Sequence, residues 1–265
     1  MSKDRPLNSS PLSRLPSIFA WCGYIFLIAP TFIIIPISFG SGTELRFPPA
    51  SYSLEQYRVY FTESNWWDST ILSFWIALAS MFFAIMIGVP AAYSLVRANF
   101  PGKTLLMLFL ISPMMAPIVV IALGLYLYFA AIGVQGPVVP VILGHVLVAC
   151  PFVIVTCMAG MQQIDRNLEI AARIMGAGPI TVFRAVTMPL LLPTIIASAL
   201  FAFLISFDEL VIAYFVGKSG FSTLPVKMFA SIQWDISPVL AAIATMLTIV
   251  SLIVCAVAAS ATRPR

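Results

Sequence analysis

Five long stretches of this chain contain no Asp, Glu, Lys or Arg, and their lengths constrain the fold more than any other feature of the sequence. They cover residues 15–43, 69–96, 104–164, 185–207 and 236–262, with 29, 28, 61, 23 and 27 residues. A transmembrane helix needs about 20 apolar residues to cross roughly 30 Å of hydrocarbon. Four stretches therefore fit one span each, and the longest stretch requires two.

The longest stretch has a natural break at residues 133–137, Gly-Val-Gln-Gly-Pro, because Gly and Pro clusters are typical of turns. We therefore predict an all-α membrane protein with six transmembrane helices, which form a single transmembrane domain, 17–261. An amino-terminal segment, 1–16, precedes this domain and a short tail, 262–265, follows it. The expected helices are about 17–40, 69–96, 104–132, 139–161, 188–216 and 237–261.

The composition excludes a water-soluble enzyme. Hydrophobic residues make up 61% of the chain and charged residues only 9%. An ordinary soluble domain has roughly 45–50% apolar and about 25% charged residues. The bilayer must therefore be the main solvent for most of the chain.

The distribution of basic residues predicts the orientation, because cytoplasmic loops carry an excess of Lys and Arg. A cytoplasmic amino terminus places ten basic residues inside and four outside. We therefore predict that both termini are cytoplasmic. The net charge of +4 follows from this orientation, and no binding of nucleic acid is expected.

Residues that would carry catalysis or metal binding are few. A single histidine, His145, cannot form a multi-histidine metal site, and both Gly-Lys pairs lack the earlier glycine that a phosphate-binding loop needs. We expect no catalytic residue, metal or cofactor. A polar side chain within an apolar helix is costly and usually faces protein. His145 is therefore predicted either to make a structural hydrogen bond or to lie along a substrate path.

The longest cytoplasmic connection, residues 162–187, is predicted to contain two short helices. Apolar residues recur there at the spacing of one helix face, and the chain then breaks at residues 176–179, Gly-Ala-Gly-Pro. Such an element docks on a protein partner or lies in the lipid interface. The apolar face comprises Ile164, Leu168, Ala171, Ala172 and Met175, and the polar face carries Asp165, Arg166, Asn167, Glu169 and Arg173.

The same connection resembles the "EAA" loop of permeases from bacterial ABC importers. That family's pattern is Glu-Ala-Ala, three residues, Gly, nine residues, Ile, one residue and Leu-Pro. The residues in register are Ala171, Ala172, Gly176 and Pro189, with Val186 and Met188 as conservative replacements.

One residue departs from the family pattern. Ile170 occupies the glutamate position, and the nearest acid, Glu169, is one residue earlier, which rotates it by about 100° around a helix. By resemblance, residues 162–187 form an ATPase-coupling segment. The residues implied in that contact are Leu168, Glu169, Ala171, Ala172, Arg173, Gly176, Ala177, Phe183 and Pro189.

Other parts of the chain extend the resemblance. Residues 88–97 are similar to the inner end of the second core helix of such permeases. Residues 206–212, 223–225 and 236–244 resemble the spermidine/putrescine-type permeases more narrowly. The resemblance implies the MetI-like importer permease fold and a location in the bacterial inner membrane.

The resemblance also implies the partners. A second homologous permease subunit, with a heterodimer favoured, would complete the membrane path. A cytoplasmic dimer of ABC ATPases would drive transport, and a periplasmic solute-binding protein would deliver a small molecule. This chain would be a transport subunit in contact with membrane lipid, and it would catalyse no covalent step.

Two adjacent acids, Asp208 and Glu209, indicate the substrate class. A charge at the bilayer centre costs at least ~2.5–3.5 kcal/mol, so these acids require water, a partner or a cation. Carboxylates and aromatic faces together suit a polyamine, and the candidate path residues are Asp208, Glu209, Phe207, Tyr214 and His145. Alternatively, one or both acids cap the helix or hold the partner permease.

Two other functions compete with the ATP-driven importer. A secondary transporter would work without an ATPase, but such proteins often show internal repeats, and none is evident here. A membrane scaffold without a transport role would not need the loop motif.

Overall fold

The computed structural model describes residues 15–42, 44–62, 65–134, 136–217, 220–234 and 236–261. Within these residues the chain forms helices and one isolated β-bridge, between Gly40 and Tyr52. The predicted terminal segments, 1–16 and 262–265, lie outside them apart from Leu15 and Pro16. The helices are α1 Leu15–Ser38, α2 Glu55–Thr62, α3 Trp66–Arg97, α4 Lys103–Ile111, α5 Ile118–Ala131, α6 Val138–Gln162, α7 Arg166–Ile174, α8 Pro179–Val182, α9 Met188–Phe207, α10 Val211–Val216, α11 Leu224–Trp234 and α12 Val239–Ala261.

The all-helical architecture is confirmed, and several helices can cross a bilayer. Four of those described are long and apolar enough: Phe19–Ser38, Trp66–Arg97, Val138–Gln162 and Pro179–Phe207. The bent pair of α4 and α5 brings the number to five if it counts as one span. The sixth predicted span falls on α12, whose described apolar part, Val239–Ile253, is shorter.

The predicted third helix, 104–132, is broken in the structure. α4 ends at Ile111, one 3₁₀ turn follows, and α5 begins at Ile118. The two pieces meet at an angle of 99°. Proline has no N–H, and its ring clashes with the preceding helical turn. Pro113 and Pro117 therefore give the break a local cause.

The predicted fifth helix, 188–216, is also different. The helical segment begins earlier, at Pro179, includes a π-helical turn at Phe183–Thr187 and ends at Phe207. Three residues separate it from α10, which begins at Val211. A continuous apolar run does not reveal such a break. Periodicity shows which faces of a helix are apolar, but it does not show where the helical hydrogen bonds of the backbone end.

Residues 68–229 form one of two compact units, in which α6 contacts α4, α5, α9 and α10. The packing of α6 against α9 is the most extensive helix contact. It is close enough that a Cβ at Gly160 would come within 2.5 Å of the Thr194 hydroxyl oxygen. Small residues allow membrane helices to approach closely, so Gly160 sets the distance between α6 and α9.

The other unit comprises, among the residues that the structure describes, those up to Trp67 and those from Ala230 onward. Within it, α1 packs against α12, and α12 also contacts α2. A hydrogen bond of 2.7 Å joins the hydroxyl groups of Ser38 and Tyr57, which connects the end of α1 to α2. None of the spanning window of α1 is buried within the chain.

Candidate functional site

The coupling segment, residues 162–187, is a short helix, a sharp turn and a second short helix, as the pattern predicts. The Asp165 carboxylate caps α7 by accepting a 2.9 Å hydrogen bond from the Asn167 N–H. Gly176 ends α7 with φ +91°, a conformation that side chains other than glycine rarely adopt. Pro179 then starts α8 without losing a required N–H. The segment is therefore locally well defined.

Apolar side chains of the coupling segment are largely exposed. Ile174 and Met175 are 81% and 82% exposed, and Ile180 in α8 is 72% exposed. The buried positions of α7 are Glu169 and Ala172, which share one side of the helix because they are three residues apart. Glu169 was expected on the polar outer face, and that expectation is wrong.

Glu169 is buried because two donors from other parts of the chain meet its carboxylate. Arg97 Nε lies 3.0 Å from Glu169 Oε1 and forms an ion pair with it. The Thr187 hydroxyl donates to the same oxygen over 3.0 Å. These contacts join the end of α3, α7 and the π-helical turn before α9.

Arg97 makes two further hydrogen bonds at the end of α6. Its Nη2 donates to the carbonyl oxygens of Met161 and Ile164 over 3.3 Å and 3.1 Å. The Met161 carbonyl also accepts from the Ile164 N–H over 3.3 Å, so Arg97 adds a second donor there and ties the turn after α6 to the end of α3. Breaking a buried ion pair by removing one partner typically costs about 3–5 kcal/mol.

A second contact fixes the return half of the coupling segment to α3. The rings of Tyr93 and Phe183 lie with their centroids 5.0 Å apart at 71°, an edge-to-face pair. Phe183 was predicted as an ATPase contact, and within this chain it is half-buried with its ring against Tyr93 of α3.

The other predicted coupling residues have different exposures. Ala177 is half-buried and Ala172 is buried. The exposed ones, which a partner can reach on this chain, are Leu168, Ala171, Arg173, Gly176 and Pro189. Sequence reasoning missed Arg97, Thr187 and Tyr93. Arg97 carried one usable signal, because a cation directly at the end of a charge-free stretch needs a partner nearby.

The helix break, Asp208–Leu210, is organised by Glu209. Its carboxylate accepts hydrogen bonds from the N–H groups of Val211, Ile212 and Ala213, at 2.9, 2.8 and 3.2 Å. The first N–H groups of a helix lack partners within it, so Glu209 caps α10. Its side chain is only 4% exposed. The structure therefore favours the capping alternative for Glu209.

His145 of α6 meets the same carboxylate. Its Nε2 lies 3.3 Å from Glu209 Oε2, and a 2.7 Å hydrogen bond joins its Nδ1 and the Ser206 hydroxyl. All three side chains are buried. The preceding residue, Gly144, is so close to α10 that a Cβ there would come within 2.5 Å of Ile212. Of the two predicted roles for His145, the structure favours the structural contact.

Asp208, in contrast to Glu209, is exposed. It directly follows Phe207, whose ring stacks on that of Phe203 with centroids 5.7 Å apart at 17°. Phe203 in turn meets Phe74 of α3 edge-to-face at 5.6 Å. Tyr214 of α10 is 53% exposed. The chain thus carries an exposed acid directly after the last residue of a row of aromatic rings.

No group of three or more His, Cys, Asp or Glu side chains that could hold a metal ion occurs in the described ranges. Cys150 and Cys157 are buried free thiols, and Cys22 is an exposed one.

Comparison with protein families identifies the chain. The model of the inner membrane component of binding-protein-dependent transport systems matches residues 84–265, which include the coupling segment and the helix break. The chain belongs to this family. The permease is thus a component of an ABC importer, and its relatives are transport subunits rather than enzymes. The family implies an ATPase, a solute-binding protein and a second permease as partners.

Individual relatives resemble the permease over most of its length. The putrescine transport system permease protein PotI of Escherichia coli is 31% identical over 250 residues, covering 91% of this chain and 89% of the relative. The spermidine/putrescine transport system permease protein PotC of Escherichia coli is 29% identical over 230 residues and 87% of each chain. The trehalose transport system permease protein SugB of Mycobacterium tuberculosis is 31% identical over 165 residues, covering 62% of this chain and 60% of the relative.

Solved structures support the same fold. A bacterial ABC transporter involved in the import of alginate, an acidic polysaccharide, matches with a TM-score of 0.76 at 15% identity, covering 99% of the permease and 100% of that chain. An amino acid ABC transporter with histidines matches with a TM-score of 0.55 at 16% identity, covering 76% of the permease and 91% of that chain.

Proposed function

We propose that the permease moves a polyamine such as putrescine or spermidine, or a related cationic or amino-acid-like compound, across the bacterial inner membrane. The observation that carries this substrate class is that the exposed Asp208 directly follows Phe207, whose ring stacks on that of Phe203. The similarity to PotI and PotC over most of the chain supports the same class.

The chemistry of the two acids assigns different roles to them. Both carboxylate oxygens of Glu209 accept backbone N–H groups, so Glu209 has little capacity left for a substrate. Asp208 is exposed, so its carboxylate can be reached by a substrate. A carboxylate supplies ion pairing to an alkylammonium group, and aromatic faces add cation–π attraction of about 0.5–2 kcal/mol. Asp208 with Phe207 is therefore the pair proposed to meet the cation, and Tyr214 lines the same path.

We also propose the architecture of the assembly. The permease crosses the membrane six times with both termini cytoplasmic, and a second homologous permease completes a heterodimer. The exposed apolar side chains of the coupling segment dock on one subunit of the ATPase dimer, because such side chains outside the membrane require cover. A periplasmic binding protein delivers the solute at the opposite face.

Uptake of radiolabelled putrescine by the assembled transporter tests the substrate class. Asp208→Asn should lower the uptake rate about tenfold, which corresponds to about 1.4 kcal/mol of lost attraction. The matched control is Glu44→Gln, which removes an exposed acid from the loop after α1 and should retain the wild-type rate.

Unchanged uptake in Asp208→Asn would contradict the proposed cation path. Uptake that persists in the absence of the ATPase subunits would instead favour a secondary transporter.

A further inference from the structure

Arg97 lies where three segments of the permease meet. It ends α3, its Nε bonds Glu169 of α7, and its Nη2 bonds the carbonyls of Met161 and Ile164 after α6. We propose that Arg97 is a positioning residue for coupling, which fixes α7 to the ends of α3 and α6 so that the segments move as one body. This inference rests on the proposed docking of the coupling segment on an ATPase.

The guanidinium group suits this task because of its shape. Its N–H donors lie in one plane at fixed angles, so contacts made by different nitrogens constrain one another. Here Nε is directed at Glu169, and Nη2 is directed at two carbonyl groups. The direction of α7 is thereby set relative to α6. A lysine ammonium is a point charge on a flexible stem, and it cannot hold this arrangement.

The carboxylate of Glu169 is committed within the chain. Oε1 accepts from both Arg97 and Thr187, and the side chain is 5% exposed. A partner that touches the exposed side of α7 does not reach this group. Glu169 therefore acts inside the permease, as the point where α7 receives Arg97, and the ATPase contact falls to the residues on the opposite side of α7.

Both ends of the coupling segment are anchored to α3. The entry end is held because Arg97 bonds the Ile164 carbonyl, one residue before the Asp165 cap of α7. The return end is held by Thr187 through Glu169 and by the ring of Phe183 on Tyr93, one helical turn before Arg97. A segment fixed at both ends transmits a displacement, whereas one fixed at a single end bends.

A push on the exposed apolar side of α7 therefore reaches α3 and α6 through the Arg97 contacts and α9 through the Thr187 turn. Loss of Arg97 does not remove the docking side chains of α7, because Ile174 and Met175 lie on its exposed side and the hydrogen bonds of Arg97 do not involve them. The expected defect is consequently in the transfer of movement and not in ATPase binding.

The test uses the complete transporter, reconstituted with its ATPase subunits, second permease and binding protein in liposomes. Three quantities are measured: ATPase subunit retained, ATP hydrolysed, and putrescine taken up per ATP. Arg97→Gln should retain the ATPase subunit and hydrolysis within about twofold of wild type while uptake per ATP falls about tenfold. Arg97→Lys should give an intermediate ratio, because it keeps the charge but loses the planar donors.

The matched control is Lys103→Gln. Lys103 is a nearby cation at the start of α4, and its ammonium group donates to the Ala98 carbonyl oxygen. This variant should match wild type in all three quantities. Full uptake per ATP in Arg97→Gln would overturn the proposal, and so would a parallel loss of retention, hydrolysis and uptake, which is the result expected of a purely structural residue.

A second variant keeps the test decisive if Arg97→Gln does not assemble. Glu169→Gln preserves the shape and an acceptor oxygen but removes the charge, and it should lower uptake per ATP about threefold with the ATPase subunit retained. If Glu169→Gln takes up as much putrescine per ATP hydrolysed as the wild type, the proposal is overturned. Failure of the wild-type permease to retain any ATPase subunit would contradict the proposed function itself, an outcome that none of these variant ratios can mimic.

Discussion

Asp208 and Glu209 are neighbours in the chain but meet different surroundings. Glu209 turns inward, where three backbone N–H groups and His145 surround its carboxylate, and Asp208 stays exposed. The difference arises at the end of α9, where Asp208 is the capping residue and Glu209 follows outside the helix, its carboxylate on the first N–H groups of α10. One acid builds the helix break, and the other is free to meet a ligand.

Removal of the Glu209 carboxylate should destabilise the permease. Glu209→Ala leaves the N–H groups of Val211, Ile212 and Ala213 without their cap, and we expect a loss of about 2–4 kcal/mol in the free energy of unfolding. Thermal unfolding of the purified permease in detergent measures this loss. The neighbouring change Asp208→Asn is the control and should stay within about 0.5 kcal/mol. Equal losses in the two variants would contradict the division of roles.

Prediction from sequence reached these residues only in part. Asp208, Glu209 and His145 were found because polar groups in apolar stretches are expensive. The contact of His145 with Ser206 and Glu209 was not predictable from the sequence. His145 and Ser206, for example, are 61 residues apart along the chain. Such a contact depends on how α6 packs against the helix break.

At the scale of the helices, the coupling segment combines a buried polar anchor with an exposed apolar face. α7 buries Glu169 and exposes Ile174 and Met175, which reverses the usual arrangement of a surface helix. The inverted arrangement fits an element that holds its own chain through charge and offers apolar surface to a partner.

A charge on this apolar face should weaken ATPase binding. Met175→Glu places a carboxylate where an apolar contact is proposed, and we expect the amount of ATPase subunit that copurifies to fall at least about tenfold. The amount of permease in the membrane should not change, since Met175 is 82% exposed. The measurement is the amount of ATPase subunit that copurifies with a fixed amount of permease.

Asn99→Glu serves as the control, because it adds the same charge to an exposed site in the connection between α3 and α4. Copurification of the ATPase subunit at the wild-type level with Met175→Glu would place the docking surface elsewhere.

The helices themselves were predicted unevenly, and the errors have a physical pattern. α7 and its end at Gly176 followed from periodicity and from the Gly-Pro break. Pro113 and Pro117 indicated a kink after Ile111, although the angle of 99° did not follow from them. The interruption after Phe207 was not predicted, because an apolar composition is the same whether a segment is straight or broken. The orientation of Glu169 depended on an arginine 72 residues earlier.

For the whole molecule, the distribution of charge carries the proposed orientation. The same distribution predicts that the connections after α3 and α6 share one side of the membrane and that those after α1 and α10 share the other. The charge-free stretches anticipated the four long apolar helices described, or five with the bent pair, because length against bilayer thickness is a direct physical constraint. Six spans remain a prediction.

Labelling of single cysteines should reveal this arrangement. In a variant without native cysteines, Asn99→Cys and Ala177→Cys should react with a membrane-impermeant maleimide only from the cytoplasmic side. Ser51→Cys and Phe221→Cys should react only from the periplasmic side. Intact cells and inverted membrane vesicles provide the two orientations. Reaction of Asn99→Cys and Ser51→Cys from the same side would contradict an odd number of crossings between them.

The close approach at Gly160 has a consequence for how relatives of this permease diverge. Any side chain at position 160 meets the Thr194 hydroxyl within 2.5 Å, so drift at one position is tolerated only after the other has become smaller. The two sites are expected to covary: a lineage that acquires alanine at 160 should carry glycine at 194, because the Cβ of Thr194 itself would lie 2.9 Å from the new methyl group. The distance between α6 and α9 would thus be maintained in relatives by paired substitutions at positions 160 and 194.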